Sequence, residues 1–259
     1  MSDLEKIFSL KGKTAVVTGG SGKYGKQITL ALCMAGAKVV VASRNKEKNE
    51  EYVAELKEKG YDVVAEELDL GDEKSIRTLA DKLSEEGSID ILVNNAVARV
   101  MKNYDDTEGF RKSLDINGTG MYLMHKIFGA IMAKQGKGSI INIGSYMGIL
   151  AQDYNLYKDM IPPVDPRPDY FFHKAGLTNL TKFMASKFGP YGVRCNVLEL
   201  GGLFNNQDPL FVERYSAKTF LNRMANDSDI MGIIILLASD ASAYITGAAI
   251  PVDGGYSAK

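Results

Sequence analysis

The sequence lacks the features that would place it in several large classes. Its 259 residues hold two cysteines, Cys33 and Cys195, both within apolar segments. Free cysteine buries as a small hydrophobe, so these read as packing residues of a reducing compartment rather than a disulfide framework. Charge of one sign is missing too, since 31 Lys and Arg stand against 32 Asp and Glu, a net charge of -1. That balance gives no electrostatic case for nucleic acid or an anionic membrane as a partner. The longest apolar run, Ile230 to Ala238, is far too short to span a bilayer. Met1 to Lys13 is broken by Asp3, Glu5, Lys6, Lys11 and Lys13 and lacks the apolar core of a signal peptide, so the cytoplasm is the expected location. No His/Cys/Asp cluster has metal-ligand spacing, and no metal is expected. There is no solenoid repeat and no Pro/Gly/Ser linker, so one domain is expected over residues 1–259. A chain of this size buries roughly three quarters of its unfolded surface and needs no staple.

What is present is a rhythm of short β-rich runs between longer helical stretches. The runs predict strands at Thr14–Val17, Lys38–Ala42, Asp62–Glu66, Ile89–Val93, Ser139–Ile143, Arg194–Leu198 and Ala248–Val252. Most are continuous Val/Ile/Leu runs, the pattern of a parallel sheet covered on both faces. Helices are predicted at Gly25–Ala35, Lys46–Lys59 and Asp72–Glu86, each stopping at a glycine. The alternation specifies an α/β, doubly wound parallel sheet (a Rossmann fold) of about seven strands, with helices on both faces. One segment departs from it. Leu150 to Pro168 holds four of the seven prolines, with Asp153, Tyr154, Asn155 and Tyr157 among them. Long connections of this kind are functional or disordered, and this one reads as an ordered loop that covers something.

The first strand runs into Thr18-Gly19-Gly20-Ser21-Gly22-Lys23-Tyr24-Gly25 and then a helix, placing G-x-G-x-x-G (Gly20, Gly22, Gly25) where a dinucleotide pyrophosphate meets a helix N-terminus. The second strand ends at Ser43-Arg44, where an NAD site usually has an acid. A guanidinium can pair with a 2′-phosphate, and Lys23 can add a second positive charge, so NADP is favoured over NAD.

Gly144-Ser145 closes a buried strand at the end where doubly wound sheets place ligands, and Tyr170 and Lys174 share a face of the following helix. With these residues the chain resembles the short-chain dehydrogenase/reductase family, compact type, over nearly its whole length. The Thr18–Gly25 turn resembles the family's cofactor turn, Asp69 with Leu70 its adenine-contacting segment, and Asn94-Asn95-Ala96 its strand-end motif. Asn117, Ser145, Tyr170 and Lys174 match its Asn–Ser–Tyr–Lys tetrad, and Asn196 to Gly201, continuing to Leu203, resembles the segment leading to the nicotinamide. Ala238-Ser239-Asp240, Ile245-Thr246-Gly247 and Val252-Asp253-Gly254-Gly255 resemble its C-terminal signature.

The resemblance implies a reaction. Tyr170 gives or takes the proton while a hydride moves to or from a nicotinamide. Lys174 favours its phenolate and grips the nicotinamide ribose, Ser145 holds the substrate oxygen, and Asn117 helps hold a water in the relay. It implies cofactor contacts at Gly19, Ser21, Gly22, Lys23, Tyr24, Gly25, Ser43, Arg44, Asp69, Leu70, Asn95, Ala96, Tyr170, Lys174, Gly201 and Leu203. It also implies a homo-oligomer, a tetramer or dimer, joined by the helices carrying Asn117 and Tyr170, whose apolar faces hold Ile116, Met121, Leu123, Ile127, Leu177, Leu180 and Phe183.

Departures are visible. Lys23 sits where compact members have a glycine, a spacing shared with extended, sugar-nucleotide-handling members; Val97 and Leu200 replace a usual glycine and proline; and Asn205 sits near a usual Thr. Ser145 and Tyr170 lie 25 positions apart, about twice the family's interval, so residues 146–169 read as an inserted substrate loop. With Asn205, Asn206 and Gln207 its polar content suggests a polar, sugar-like small molecule. A surface or subunit-contact insertion is the other reading. His173, His125 and Met101, Met121, Met124, Met132 and Met147 read as packing residues. Against the oxidoreductase stand a cofactor-retaining sugar epimerase or dehydratase, which the length disfavours, and a non-catalytic cofactor sensor, which the intact tetrad disfavours.

Overall fold

The fold was taken from a computed structural model that describes residues 2–160 and 167–258. Seven strands, β1 (Thr14–Thr18), β2 (Lys38–Ser43), β3 (Val63–Glu67), β4 (Ile91–Asn94), β5 (Gly138–Ile143), β6 (Val193–Leu200) and β7 (Ala249–Val252), form one sheet in the order β3-β2-β1-β4-β5-β6-β7. Every pairing is parallel. The order reverses between β1 and β4, which opens a crevice beyond their C-terminal ends. The helices are α1 (Asp3–Phe8), α2 (Lys23–Met34), α3 (Lys46–Glu58), α4 (Glu73–Glu86), α5 (Thr107–Leu114), α6 (Met121–Gln135), α7 (Pro168–Phe188), α8 (Pro209–Ser216) and α9 (Met231–Ala238).

Alternation within the strands explains their unbroken apolar runs. Ala15 and Val17 face a core shared with α2, α3 and α9, whereas Val16 faces one shared with α4, α6 and α7. Both sides of the sheet are thus dry, and a polar residue on either side would lack a solvent outlet. Cys33 and Cys195 lie one in each core, and burial pushes each thiol up to about 12. Among the described residues no helix is long and apolar enough to cross a membrane.

All seven expected strands form, with shifted ends. Ile89 and Asp90 precede β4, because the Asp90 carboxylate accepts from the Thr14 amide at 2.9 Å and from Ser88 at 2.9 Å and anchors a loop instead. β6 continues past Leu198 because Glu199 and Leu200 pair with Pro251 and Val252 of β7. Between α5 and α6 the chain widens into a π-helical segment, Asp115–Gly120, which carries Asn117. Gly120 is its fixed point, since a Cβ there would fall 2.1 Å from the Leu70 carbonyl oxygen.

Candidate active site

The C-terminal ends of β1, β2, β5 and β6, with the loops after β3 and β4, line one cavity of about 980 Å³. At its dinucleotide-sized end the glycine turn is drawn tight. Gly19 has a φ of +64°, and a Cβ on Gly25 would lie 2.0 Å from the Gly19 carbonyl oxygen. Gly22 is the N-cap of α2 and offers no side chain, so the first amides of the helix stay available to an anion. Thr18 locks this turn to β4. Its hydroxyl accepts from the Asn95 and Ala96 amides at 3.0 and 2.9 Å, and the Asn95 side chain donates to the Thr18 and Gly19 carbonyls at 2.9 and 3.0 Å. Arg44 and Lys23 are exposed on the same wall, and among the described residues neither has a carboxylate within ion-pair distance.

At the other end stand Ser145, Tyr170 and Lys174. Lys174 is buried and donates to the Ile143 carbonyl at 2.5 Å, with its ammonium 5.5 Å from the Tyr170 ring centre. Burial pushes this ammonium below its ordinary range, Tyr170 and Glu199 push it back up, and Arg99 opposes them. Arg99 also lies against the phenol ring, its guanidinium carbon 4.5 Å from the ring centre. The Ser145 hydroxyl accepts from the Met147 amide at 3.2 Å, which leaves its proton free to donate into the cavity. The Ser145 amide donates to the Glu199 carboxylate at 2.8 Å.

Of the residues expected at the site, all but Ser21 and Asn117 line the cavity. Ser21 instead turns inward and donates to Asn49 at 2.7 Å, bracing the turn from behind. Asn117 holds both the amide and the carbonyl of Ala98 at 2.8 Å, and donates to Ser113, whose hydroxyl donates to buried Asp169 at 2.5 Å. It therefore fastens the loop after β4 to the start of α7. Met101, Met121, Met124 and Met132 are buried, and Met147 packs half-buried against the cluster of Tyr146, Leu156 and Tyr215 while also lining the cavity. Of the polar residues after Gly201, Gln207 reaches the wall, whereas exposed Asn205 and Asn206 do not.

Of the loop residues singled out in the sequence, Tyr157 lines the cavity, beside Met160 and, at the start of the loop, Tyr146 and Met147; Asp153, Tyr154 and Asn155 do not. Asp153 is ion-paired with Lys218 and caps a short turn by accepting from the Asn155 amide, and Tyr154 is exposed. Pro162, Pro163 and Pro166 lie outside the described residues. Tyr157 packs on Phe211 of α8 at 5.3 Å, and Arg214 of the same helix donates to the Lys158 carbonyl. His173 packs edge-on against Tyr170 at 5.2 Å, and burial, Lys174 and Arg99 hold its imidazole down to about 3, a neutral packing residue. His125 is likewise buried, with Nδ1 2.8 Å from the Met121 carbonyl.

Arg99 and Glu199 were not foreseen as part of the site, nor were the wall residues Tyr146, Asp208, Phe211 and Tyr215. Arg99 had no motif around it. Glu199 is a lone acid inside the apolar run Val197-Leu198-Glu199-Leu200, and that interruption was the available signal.

Comparison with known proteins agrees with this arrangement. The family model described as enoyl-(acyl carrier protein) reductase, a short-chain dehydrogenase/reductase model, matches residues 24–257. The chain belongs to the short-chain dehydrogenase/reductase family, whose members are nicotinamide-dependent oxidoreductases. It is 31% identical to a 2-dehydro-3-deoxy-D-gluconate 5-dehydrogenase of Bacillus subtilis, over 99% of each chain. It is 32% identical to a 7alpha-hydroxysteroid dehydrogenase of Bacteroides fragilis, over 95% of this chain and 94% of the relative. Its fold matches a gluconate 5-dehydrogenase from Burkholderia cenocepacia solved with NADP and tartrate (TM-score 0.88, 26% identity, 99% of each chain). It also matches a short-chain dehydrogenase from Leptospira borgpetersenii solved with NAD+ (TM-score 0.84, 28% identity, 99% and 96% covered).

Proposed function

We propose that this chain is an NADP-preferring dehydrogenase that interconverts a secondary alcohol and a carbonyl on a polar, sugar-like small molecule, with Tyr170 as general acid/base. The observation that carries the reading is the convergence of Ser145, Tyr170 and buried Lys174 on the cavity whose far end holds the glycine turn. That cavity suits a dinucleotide. The turn is closed to any Cβ at Gly25, first-turn amides of α2 are free for a pyrophosphate, and Arg44 with Lys23 can pair with a 2′-phosphate. The cofactor, when bound, supplies or accepts the hydride.

The chain's own residues manage the oxygen and the proton. Ser145 donates a hydrogen bond to the substrate oxygen and fixes its position. Tyr170 takes the hydroxyl proton during oxidation and returns it during reduction. Lys174, which donates to the Ile143 carbonyl, acts on the phenol by charge through a dry site, where such an interaction is little screened.

On the substrate side the wall combines Arg99, Gln207 and Asp208 with the rings of Tyr146, Tyr157 and Phe211. Among the described residues the Arg99 guanidinium is in no ion pair, and such a group facing the cavity favours a substrate that brings its own carboxylate, a sugar acid. Residues 146–169 serve as the substrate loop, through Tyr157 and Met160. The reading extends to a homotetramer or dimer, and two free, buried thiols suit the cytoplasm.

The first test is a thermal melt with each dinucleotide. NADP is expected to raise the midpoint more than NAD at equal concentration, and a larger shift with NAD would remove the Arg44 argument. In steady state, Arg99→Gln is expected to raise KM for sugar acids about tenfold, the equivalent of one charge-assisted hydrogen bond, and to leave neutral polyols unaffected.

A further inference from the structure

Behind Ser145, on the side away from the cavity, the sheet holds a carboxylate with no outlet to solvent. Glu199 is 1% exposed and stands at the C-terminal end of β6. One oxygen accepts from the Ser145 amide at 2.8 Å, and the other from the Thr178 hydroxyl of α7 at 2.6 Å. The fold makes room for it at a specific place. A Cβ on Gly144 would fall 2.4 Å from the same oxygen that meets Ser145, so Gly144 and Glu199 are fitted to each other. A buried acid here is costly unless it is paired or hydrogen-bonded at both oxygens, and it is.

The neighbouring charge is Lys174. Its ammonium is buried and donates to the neutral carbonyl of Ile143, two residues before the Ser145 amide that Glu199 holds, and the groups acting on it are Tyr170, Glu199 and Arg99. Among these, Glu199 is the one carboxylate. The strands that flank it, β5 and β7, present no titratable side chain, and α7 presents Lys174, Tyr170 and His173, the last held neutral by burial. Arg99 acts from the loop after β4, with a sign opposite to that of Glu199. Burial pushes the Glu199 carboxyl up, while Thr178, Ser145 and Lys174 pull it back.

We propose that Glu199 is a positioning residue of the site, a sealed carboxylate that fixes the Ser145 main chain and serves as the internal counter-charge of Lys174. The proposal rests on the dehydrogenase reading for its meaning in catalysis, though not for its test. An ionised Glu199 keeps Lys174 protonated, and it also makes a negative phenolate at Tyr170 harder to form. It therefore sets the pH at which the Tyr170–Lys174 pair exchanges its proton, as a property of the coupled group. A purely structural acid would hold Ser145 and do no more.

The two roles separate in Glu199→Gln, which keeps an acceptor for the Ser145 amide and removes the charge. Formation of phenolate is followed by ultraviolet difference titration, assigned to Tyr170 by subtracting the Tyr170→Phe background, on full-length protein without substrate. The expected result is a titration displaced by about one pH unit to the acid side in Glu199→Gln, with the pH profile of turnover displaced the same way. Thr178→Val, which takes away one hydrogen bond and leaves the charge less supported, is expected to move it in the same direction by less. It supplies the measurement if Glu199→Gln does not fold. A titration unmoved in the folded variants would overturn the proposal. Absence of any dehydrogenase activity in the wild type, with the displacement present, would instead count against the dehydrogenase reading alone.

Discussion

Arg44 stands exposed where β2 gives onto the cavity, and its consequence is a matter of one hydrogen-bonded charge. Hydrogen bonds to charged groups contribute about 1.5–3 kcal/mol, so Arg44→Ser is expected to weaken NADP binding by roughly 10- to 100-fold and to change NAD binding little. Titration of both dinucleotides by fluorescence would check it, and an equal loss for both would place Arg44 outside phosphate recognition. At this scale the sequence was legible for the placement of Ser145, Tyr170, Lys174 and the glycine turn on one cavity. It was not legible where the role depends on what lies across the sheet. Ser21 and Asn117 stand in motifs, yet their partners, Asn49 and the Ala98 backbone, are 28 and 19 positions away, and no local pattern records those distances. Arg99 and Glu199 acquire meaning only from α7, which packs Tyr170 and Lys174 against them.

At the scale of elements, the strands were readable because two dry faces demand continuous apolar runs. Their ends were not, because side chains such as Asp90 decide them. The π-helical segment at Asp115–Gly120 had no foreseeable signal except its glycines. The glycine turn gives a sharp prediction. Gly25→Ala would force a methyl to within 2.0 Å of the Gly19 carbonyl oxygen, so the turn must open. Loss of dinucleotide binding is expected in calorimetry, with the far-ultraviolet spectrum of the fold retained.

The loop from 151 to 160 is tied to the region of α8 by Asp153–Lys218, by Arg214 to the Lys158 carbonyl, and by Tyr157 on Phe211. The Asp153–Lys218 pair is half-buried but still reached by water, and a pair of that kind contributes about 1 kcal/mol or little more. Lys218→Ala is thus expected to leave the melting temperature nearly unchanged while raising KM, because the loop carrying Tyr157 loses a tether. A variant with unaltered KM would assign the loop to a surface role instead.

For the whole molecule, the residues assigned to a subunit contact divide: Ile116, Met121, Leu123 and Leu177 are buried within the chain, whereas Phe183 is exposed. What α6 and α7 leave outside is Tyr122, Phe172 and Phe183, at 44, 60 and 61% exposure. If these helices join subunits, those rings do it, and Phe183→Glu is expected to reduce the sedimenting mass to that of a smaller assembly. An unchanged mass would move the interface elsewhere.

The pH dependence of folding is also a property of the whole chain, because both of its histidines are buried. Burial lowers His125 and, with Lys174 and Arg99, holds His173 at about 3. The unfolded chain binds these protons near 6.5 and the native chain does not, so stability is full above that pH and falls as the pH drops towards 3. The slope is about 1.4 kcal/mol per pH unit for each histidine. Denaturant melts are expected to show this decline beginning well above the carboxylate range, and His173→Gln is expected to flatten it.

The claim on which the rest depends is that Tyr170 handles the substrate proton in a nicotinamide-dependent reaction. Its most direct measurement is the rate of NADPH oxidation or NADP reduction by wild type and Tyr170→Phe across sugar acids, polyols and the matching ketones. The expected result is turnover by the wild type with at least one sugar acid or its keto form, and a loss of about 10²- to 10⁴-fold in the variant with NADP affinity retained. Undiminished turnover in Tyr170→Phe, or tight NADP binding without turnover on any carbonyl or alcohol, would contradict it.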